Sequence, residues 1–279
     1  MRPVKVADPR GESLLDQLVS LYFTFKNVHG DVIFDLSHVH WVFPILILPI
    51  ASYIHDTDSA FFPPLRTEVE SYLGFVRFPE GVSSVRGMRR GENYIPITLL
   101  KEKNPVERTR LQDEFLEMIY KVLNPSVEVK NAIYYPIEEL VENIFQHSER
   151  NEGHVFAQYY PKKEFLDLCI VDRGIGLANS YKKGKGLDVS DEEAIEMALE
   201  GYSVKPEDSR GYGIRTSKRV ICEGLDGEFV LVSGGAALYS SKYKNVIYDL
   251  PNFYWRGVIV AYRIPKPKRP VDIYPFLEG

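Results

Sequence analysis

Apolar and polar positions fall into blocks along the chain that have the lengths of strands and helices. Residues 31–36 set Val32, Ile33 and Phe34 between two aspartates and read as a buried strand. Residues 41–54 follow, fourteen almost wholly apolar positions broken by Pro44 and Pro49. A membrane span needs about 20 residues, so this run predicts a helix buried in a core. Residues 65–73 read as a second helix that runs into Gly74, and residues 75–78 look strand-like. Strand, helix, helix, strand favours a small α/β layer.

Glycines, serines, arginines and an Asn-Pro pair cluster between about residues 84 and 108, which predicts a domain boundary near residue 105. Beyond it the pattern predicts an amphipathic helix over 106–123, a second over 136–147, and strands over 155–160 and 165–171. A polar segment, 177–210, contains a helical piece at 192–199 and has the length of a lid or binding loop. A helix over 213–223 and strands over 228–233 and 257–264 complete an α+β sandwich, with residues 266–279 as a tail.

The 279 residues carry 34 Lys or Arg and 39 Asp or Glu, a formal net charge of −5. That acidic excess argues against broad electrostatic wrapping of nucleic acid, though a local basic patch is compatible with it. Lys182, Lys183, Lys185, Lys205, Arg210 and Arg215 gather in one stretch and predict a small anion site. Cys169 and Cys222 each sit in an apolar stretch with no second Cys nearby and no His at ligand spacing, which argues against a disulfide framework or a structural zinc site. The first residues lack an apolar run followed by small residues, so a cytoplasmic location is expected, with no membrane partner.

Three segments carry candidate chemistry. In the helix over 136–147, Ile137, Leu140, Val141, Ile144 and Phe145 form one apolar face, while Glu139, Asn143 and His147 align one turn apart on another. That stripe suits a general base and a magnesium ligand, or else a solvated polar face. The strand over 165–171 ends in Asp172-Arg173-Gly174-Ile175-Gly176, where an acid and alternating glycines allow close backbone approach to a ligand, or simply make a turn. Gly211-Tyr212-Gly213 opens the next helix, as phosphate-binding segments do.

In this order and spacing the three segments resemble the GHKL (Bergerat) ATP-binding fold of gyrase-type topoisomerases and histidine kinases. Glu139 to Asn143 looks like its N box, Asp172 to Gly176 like its G1 box, and Gly211 to Gly213 like its G2 box. The likeness covers roughly residues 106–265. It implies a mixed sheet with helices on one face, and ATP with Mg2+ as ligands. It also implies that Asn143 holds the metal, that Glu139 activates the nucleophile, and that Asp172 accepts the adenine amino hydrogen. Gly174, Gly176, Gly211 and Gly213 would line the nucleotide. Lys205 would contact the γ-phosphate, or be a surface lysine on a mobile loop. The terminal strand departs from the pattern, with Val258 where a threonine usually supports the adenine-binding aspartate.

The segment from Val32 to Pro44 resembles the central strand and turn of STAS domains, and Tyr72-Leu73-Gly74-Phe75 that fold's closing helix and strand. Phe43-Pro44 stands where phosphorylatable members carry Asp-Ser, so this unit is expected to be a scaffold or protein-binding surface. Three functions follow: a magnesium-dependent ATPase switch, a serine/threonine kinase of the anti-sigma-factor type, or a nucleotide-responsive module without catalysis. An unnamed protein partner and a homodimer are both compatible with each.

Overall fold

The chain folds as mixed α and β structure in a computed structural model that describes residues 1–88, 95–202 and 213–277. The first part forms a parallel sheet of β1 (Arg2–Lys5), β2 (Val32–Asp35) and β3 (Ala60–Phe62). Parallel neighbours need crossovers. These are α1 (Leu14–Phe25) and α2 (Pro44–Asp56), and α3 (Thr67–Phe75) follows. Ser13 caps α1 reciprocally with Asp16, and Leu14, Leu18, Leu21 and Phe25 form its buried stripe. In α2 every residue from Pro44 to Tyr53 is buried, as expected of a helix apolar all round.

The second part is a seven-stranded sheet. Its strands are β4 (Thr98–Lys101), β5 (Glu152–Tyr160), β6 (Phe165–Val171), β7 (Glu228–Gly234), β8 (Ala236–Ser241), β9 (Lys244–Asp249) and β10 (Trp255–Pro265). They lie in the order β4-β5-β6-β10-β7-β8-β9. Helices α4 (Pro105–Leu123) and α5 (Val127–His147) precede β5. Between β6 and β7 come α6 (Gly176–Lys185), α7 (Asp191–Glu200) and α8 (Gly213–Arg219), which runs on into a π-turn over Val220–Gly224; α9 (Tyr274–Leu277) ends the described chain.

The expected mixed sheet with helices on one face is corrected in two respects. Every pairing between these seven strands is antiparallel: β5–β6, β7–β8 and β8–β9 join directly, β5 returns beside β4 after α4 and α5, and β10 runs opposite to both β6 and β7. Both faces are covered. Val155, Ala157, Leu168, Ile170 and Val260 pack against Leu116, Ile119, Leu140 and Ile144 of α4 and α5. The alternating residues Phe156, Cys169, Val171, Val230, Val232 and Ile259 pack instead with Leu18, Leu21, Ile47 and Leu48 of α1 and α2. The near-continuous apolar run of β6 requires this, since a strand with one wet face would alternate with polar residues. Each buried aliphatic side chain is worth about 1.5–3 kcal/mol, so the N-terminal unit is bound into the C-terminal core. Arg263 adds a tie at the far edge, gripping buried Asp167 at 2.6 and 2.7 Å while Gln17 of α1 donates to the same carboxylate at 3.2 Å.

Several boundaries differ from expectation. The chain enters the second sheet at Thr98, before residue 105, because β4 pairs with β5. Residues 75–78 are not a strand: α3 runs to Phe75, Arg77 takes a left-handed conformation, and Val76 and Phe78 are buried in the turn. Helix α5 starts nine residues before Pro136, since Val129, Ala132 and Ile133 extend its buried stripe upstream.

Candidate functional site

Four segments meet at a cleft between α5, α6 and the ends of β6 and β10, with about 850 Å3 of empty space including its open mouth. Its walls are mainly apolar, from Leu140, Ile144, Ile170, Leu177, Val258 and Val260, with Asn143, Asp172 and the backbone of Gly176 and Gly213 among them.

Glu139 and Asn143 of the stripe on α5 do not form a solvated face. Their apolar neighbours fix α5 on the sheet, and this turns Asn143 into the cleft and leaves Glu139 half-buried against α8. A Cβ on Gly213 would lie 2.6 Å from Glu139 Oε2 and 3.3 Å from Asn143 Nδ2, so the carboxylate and amide meet the first residue of α8. Glycine permits that approach. The His147 side chain, Lys205 and Gly211 lie outside the described residues, as does Arg210.

Asp172 directly follows β6 and is 5% exposed. Its N–H donates to the Val258 carbonyl at 3.0 Å, and its Oδ1 accepts from the Gly174 N–H at 2.7 Å. The first bond holds the backbone and the second orients the carboxyl, which keeps lone pairs for a donor in the cleft. Burial pushes its pKa up to about 7, against the opposing pull of the Gly174 and Val258 hydrogen bonds and then of Arg150 and Arg173. Gly174 is required by contact: a Cβ there would lie 2.3 Å from the carbonyl oxygen of Ser148, which accepts the Ile175 N–H at 3.1 Å. Gly176 opens α6 with φ of +77°, a conformation that suits glycine.

Other cleft residues carry weaker sequence signals. Leu177 and Tyr181 lie one turn apart on α6, and with Gly186 as a left-handed end they mark a helix within the supposed polar loop. The N–H of Leu177 is anchored by Ser233 Oγ at 2.9 Å, and the Tyr181 hydroxyl donates to the Tyr202 carbonyl at 2.9 Å. The expected basic cluster is partly dispersed. Lys182 pairs with Asp188 at 2.8 Å, Lys183 pairs with Glu149, and Arg215 donates to the Glu200 carbonyl at 3.3 Å. Of these partners only Asp188 is near in sequence; Glu149 lies 34 residues from Lys183.

Among the described residues no group of three His, Cys, Asp or Glu is arranged to hold a metal. Asn143 supplies one amide oxygen, which suits a cation that takes its other ligands from phosphates and water, as magnesium does. No protein-family model and no curated protein matches the chain.

Proposed function

We propose that the chain is a magnesium-dependent ATP-binding protein of the GHKL type, which hydrolyses ATP and acts as a nucleotide-controlled regulatory switch. The C-terminal sheet with α4, α5 and α8 would be its Bergerat-type layer, and the N-terminal parallel sheet its STAS-like unit. The observation that carries this reading is convergence: Asn143, Asp172, Gly176, Gly213 and Val258, far apart in sequence, line one cleft. Asp172 suits the adenine end, being a buried carboxyl in an apolar wall with lone pairs to offer. Asn143 and Gly213 suit the phosphate end.

Magnesium would supply positive charge to the phosphates from the Asn143 oxygen. Glu139 would accept a proton from the attacking water as its oxygen bonds to the γ-phosphorus. The bond to the β–γ bridging oxygen breaks, and ADP and phosphate leave. Calorimetric titration of the full chain with ATP and magnesium chloride should give one site per chain. Glu139→Ala should keep that site and lose turnover by about 100-fold or more. Absence of ATP binding by the unaltered chain rejects the proposal.

Val258 favours a second reading, a nucleotide-responsive module without turnover, because its place in the wall carries methyl groups rather than a hydroxyl. Tight binding without phosphate release would select it. For the kinase alternative Phe43 and Pro44 offer no acceptor hydroxyl, and Glu139 would instead deprotonate a partner serine.

A further inference from the structure

A second polar cluster lies behind the cleft, where α2 ends against the sheet. Asp56, the last residue of α2, bridges two arginines: its Oδ1 is 3.0 Å from Arg150 Nη2 and its Oδ2 3.3 Å from Arg173 Nε. The two arginines belong to the two loops that border the cleft. Arg150 follows Ser148, and Arg173 sits between Asp172 and Gly174. The loops are also joined directly, by Ile175 N–H to the Ser148 carbonyl at 3.1 Å and Arg150 Nε to the Arg173 carbonyl at 3.0 Å. The Arg173 guanidinium lies over Tyr53 of α2 at 4.5 Å and over Trp255 at 4.8 Å, with its side chain 12% exposed.

Without the carboxylate, two half-desolvated cations would face each other across the loop junction, and a charge left unpaired in such a place is strongly unfavourable. One side chain of the N-terminal unit therefore balances both loops that shape the Asp172 end of the cleft. We propose that Asp56 is a positioning residue: through Arg150 and Arg173 it holds residues 148–151 and 172–176 in register and couples the N-terminal unit to ligand affinity in the cleft. The coupling to ATP rests on the proposed function, whereas the holding of the loops does not. Coupling is reciprocal, so a ligand in the cleft stabilises the end of α2 by the same factor.

Hydrogen exchange on the full chain tests this, with Asp56→Asn, Arg150→Met and Asp56→Glu compared with Asp58→Asn, which removes a charge from the exposed turn two residues away. Without ligand, exchange at 148–151 and 172–176 should rise about tenfold in Asp56→Asn and Arg150→Met. Asp58→Asn should leave it unchanged, Asp56→Glu should restore most of the protection, and residues 230–232 of β7 should stay protected throughout. With magnesium and ATP, Asp56→Asn should weaken Kd about tenfold while kcat at saturation stays within about twofold. Unchanged loop exchange in both Asp56→Asn and Arg150→Met overturns the proposal. An equal rise at residues 230–232 also overturns it, since the role is then global stability. If the unaltered chain binds no ATP, the proposed function fails, and loop exchange alone still decides the role of Asp56.

Discussion

Gly257 and Asp172 are packed so closely that a Cβ on the glycine would lie 2.3 Å from the Asp172 carbonyl oxygen and 2.7 Å from its Oδ1. Gly257 also has φ of +106°, where side chains are strained. Gly257→Ala should therefore displace the carboxyl and lower stability by about 1–3 kcal/mol. Urea unfolding measures the second effect and ATP titration the first; a variant with unaltered affinity and stability would contradict this packing.

The Asp172 carboxyl also makes stability depend on pH. Its pKa is about 7 in the folded chain against an ordinary 3.8, so between those values the folded chain holds a proton that the unfolded chain has released. Stability from this group is complete below about pH 4 and is lost as pH rises toward 7. Asp172→Asn removes that loss. Its Tm should exceed that of the unaltered chain at pH 8 and approach it at pH 4.5, as calorimetric scans at the two pH values would record.

Ionised Asp172 is the better acceptor for an amino hydrogen, and so ATP affinity should fall as pH drops from 8 to 6. Asp172→Asn should bind ATP about tenfold or more weakly and lose that pH dependence. A pH-independent Kd in the unaltered chain would remove Asp172 from the recognition of the base.

Val258 lines the cleft beside the strand end that carries Asp172. Val258→Thr adds a hydroxyl at constant shape. It should tighten ATP binding about tenfold while lowering the stability of the ligand-free chain by about 1 kcal/mol, because a polar group replaces a methyl in a partly buried apolar wall. Weaker binding would show that the apolar wall serves another ligand.

The apolar pattern made α2 and β6 legible as nearly unbroken apolar runs of helix and strand length, and α4 as an amphipathic period. The Asn143, Asp172 and Gly213 segments were legible for a local reason too, since a helical turn sets the first spacing and close backbone approach demands the glycines. Other features are set by distant parts of the chain. Strand β9 is a largely polar sheet edge whose identity comes from pairing with β8, so its own pattern gives little warning. The coverage of the second sheet face by α1 and α2 joins residues more than 100 positions apart, as Gln17 to Asp167 illustrates. The grip of Asp56 on Arg150 and Arg173 is long-range in the same way. For the lysines at 182 and 183, charge clustering in sequence does not tell which carboxylates, here Asp188 and Glu149, fold beside them.

The most direct test of the central claim is a crystal structure of the full chain with magnesium and a non-hydrolysable ATP analogue. The account predicts the adenine amino group within hydrogen-bond reach of the Asp172 carboxyl, and the phosphates between Asn143 and Gly213 with the metal at the Asn143 amide oxygen. An analogue bound elsewhere, or a cleft left empty at saturating analogue, would contradict it.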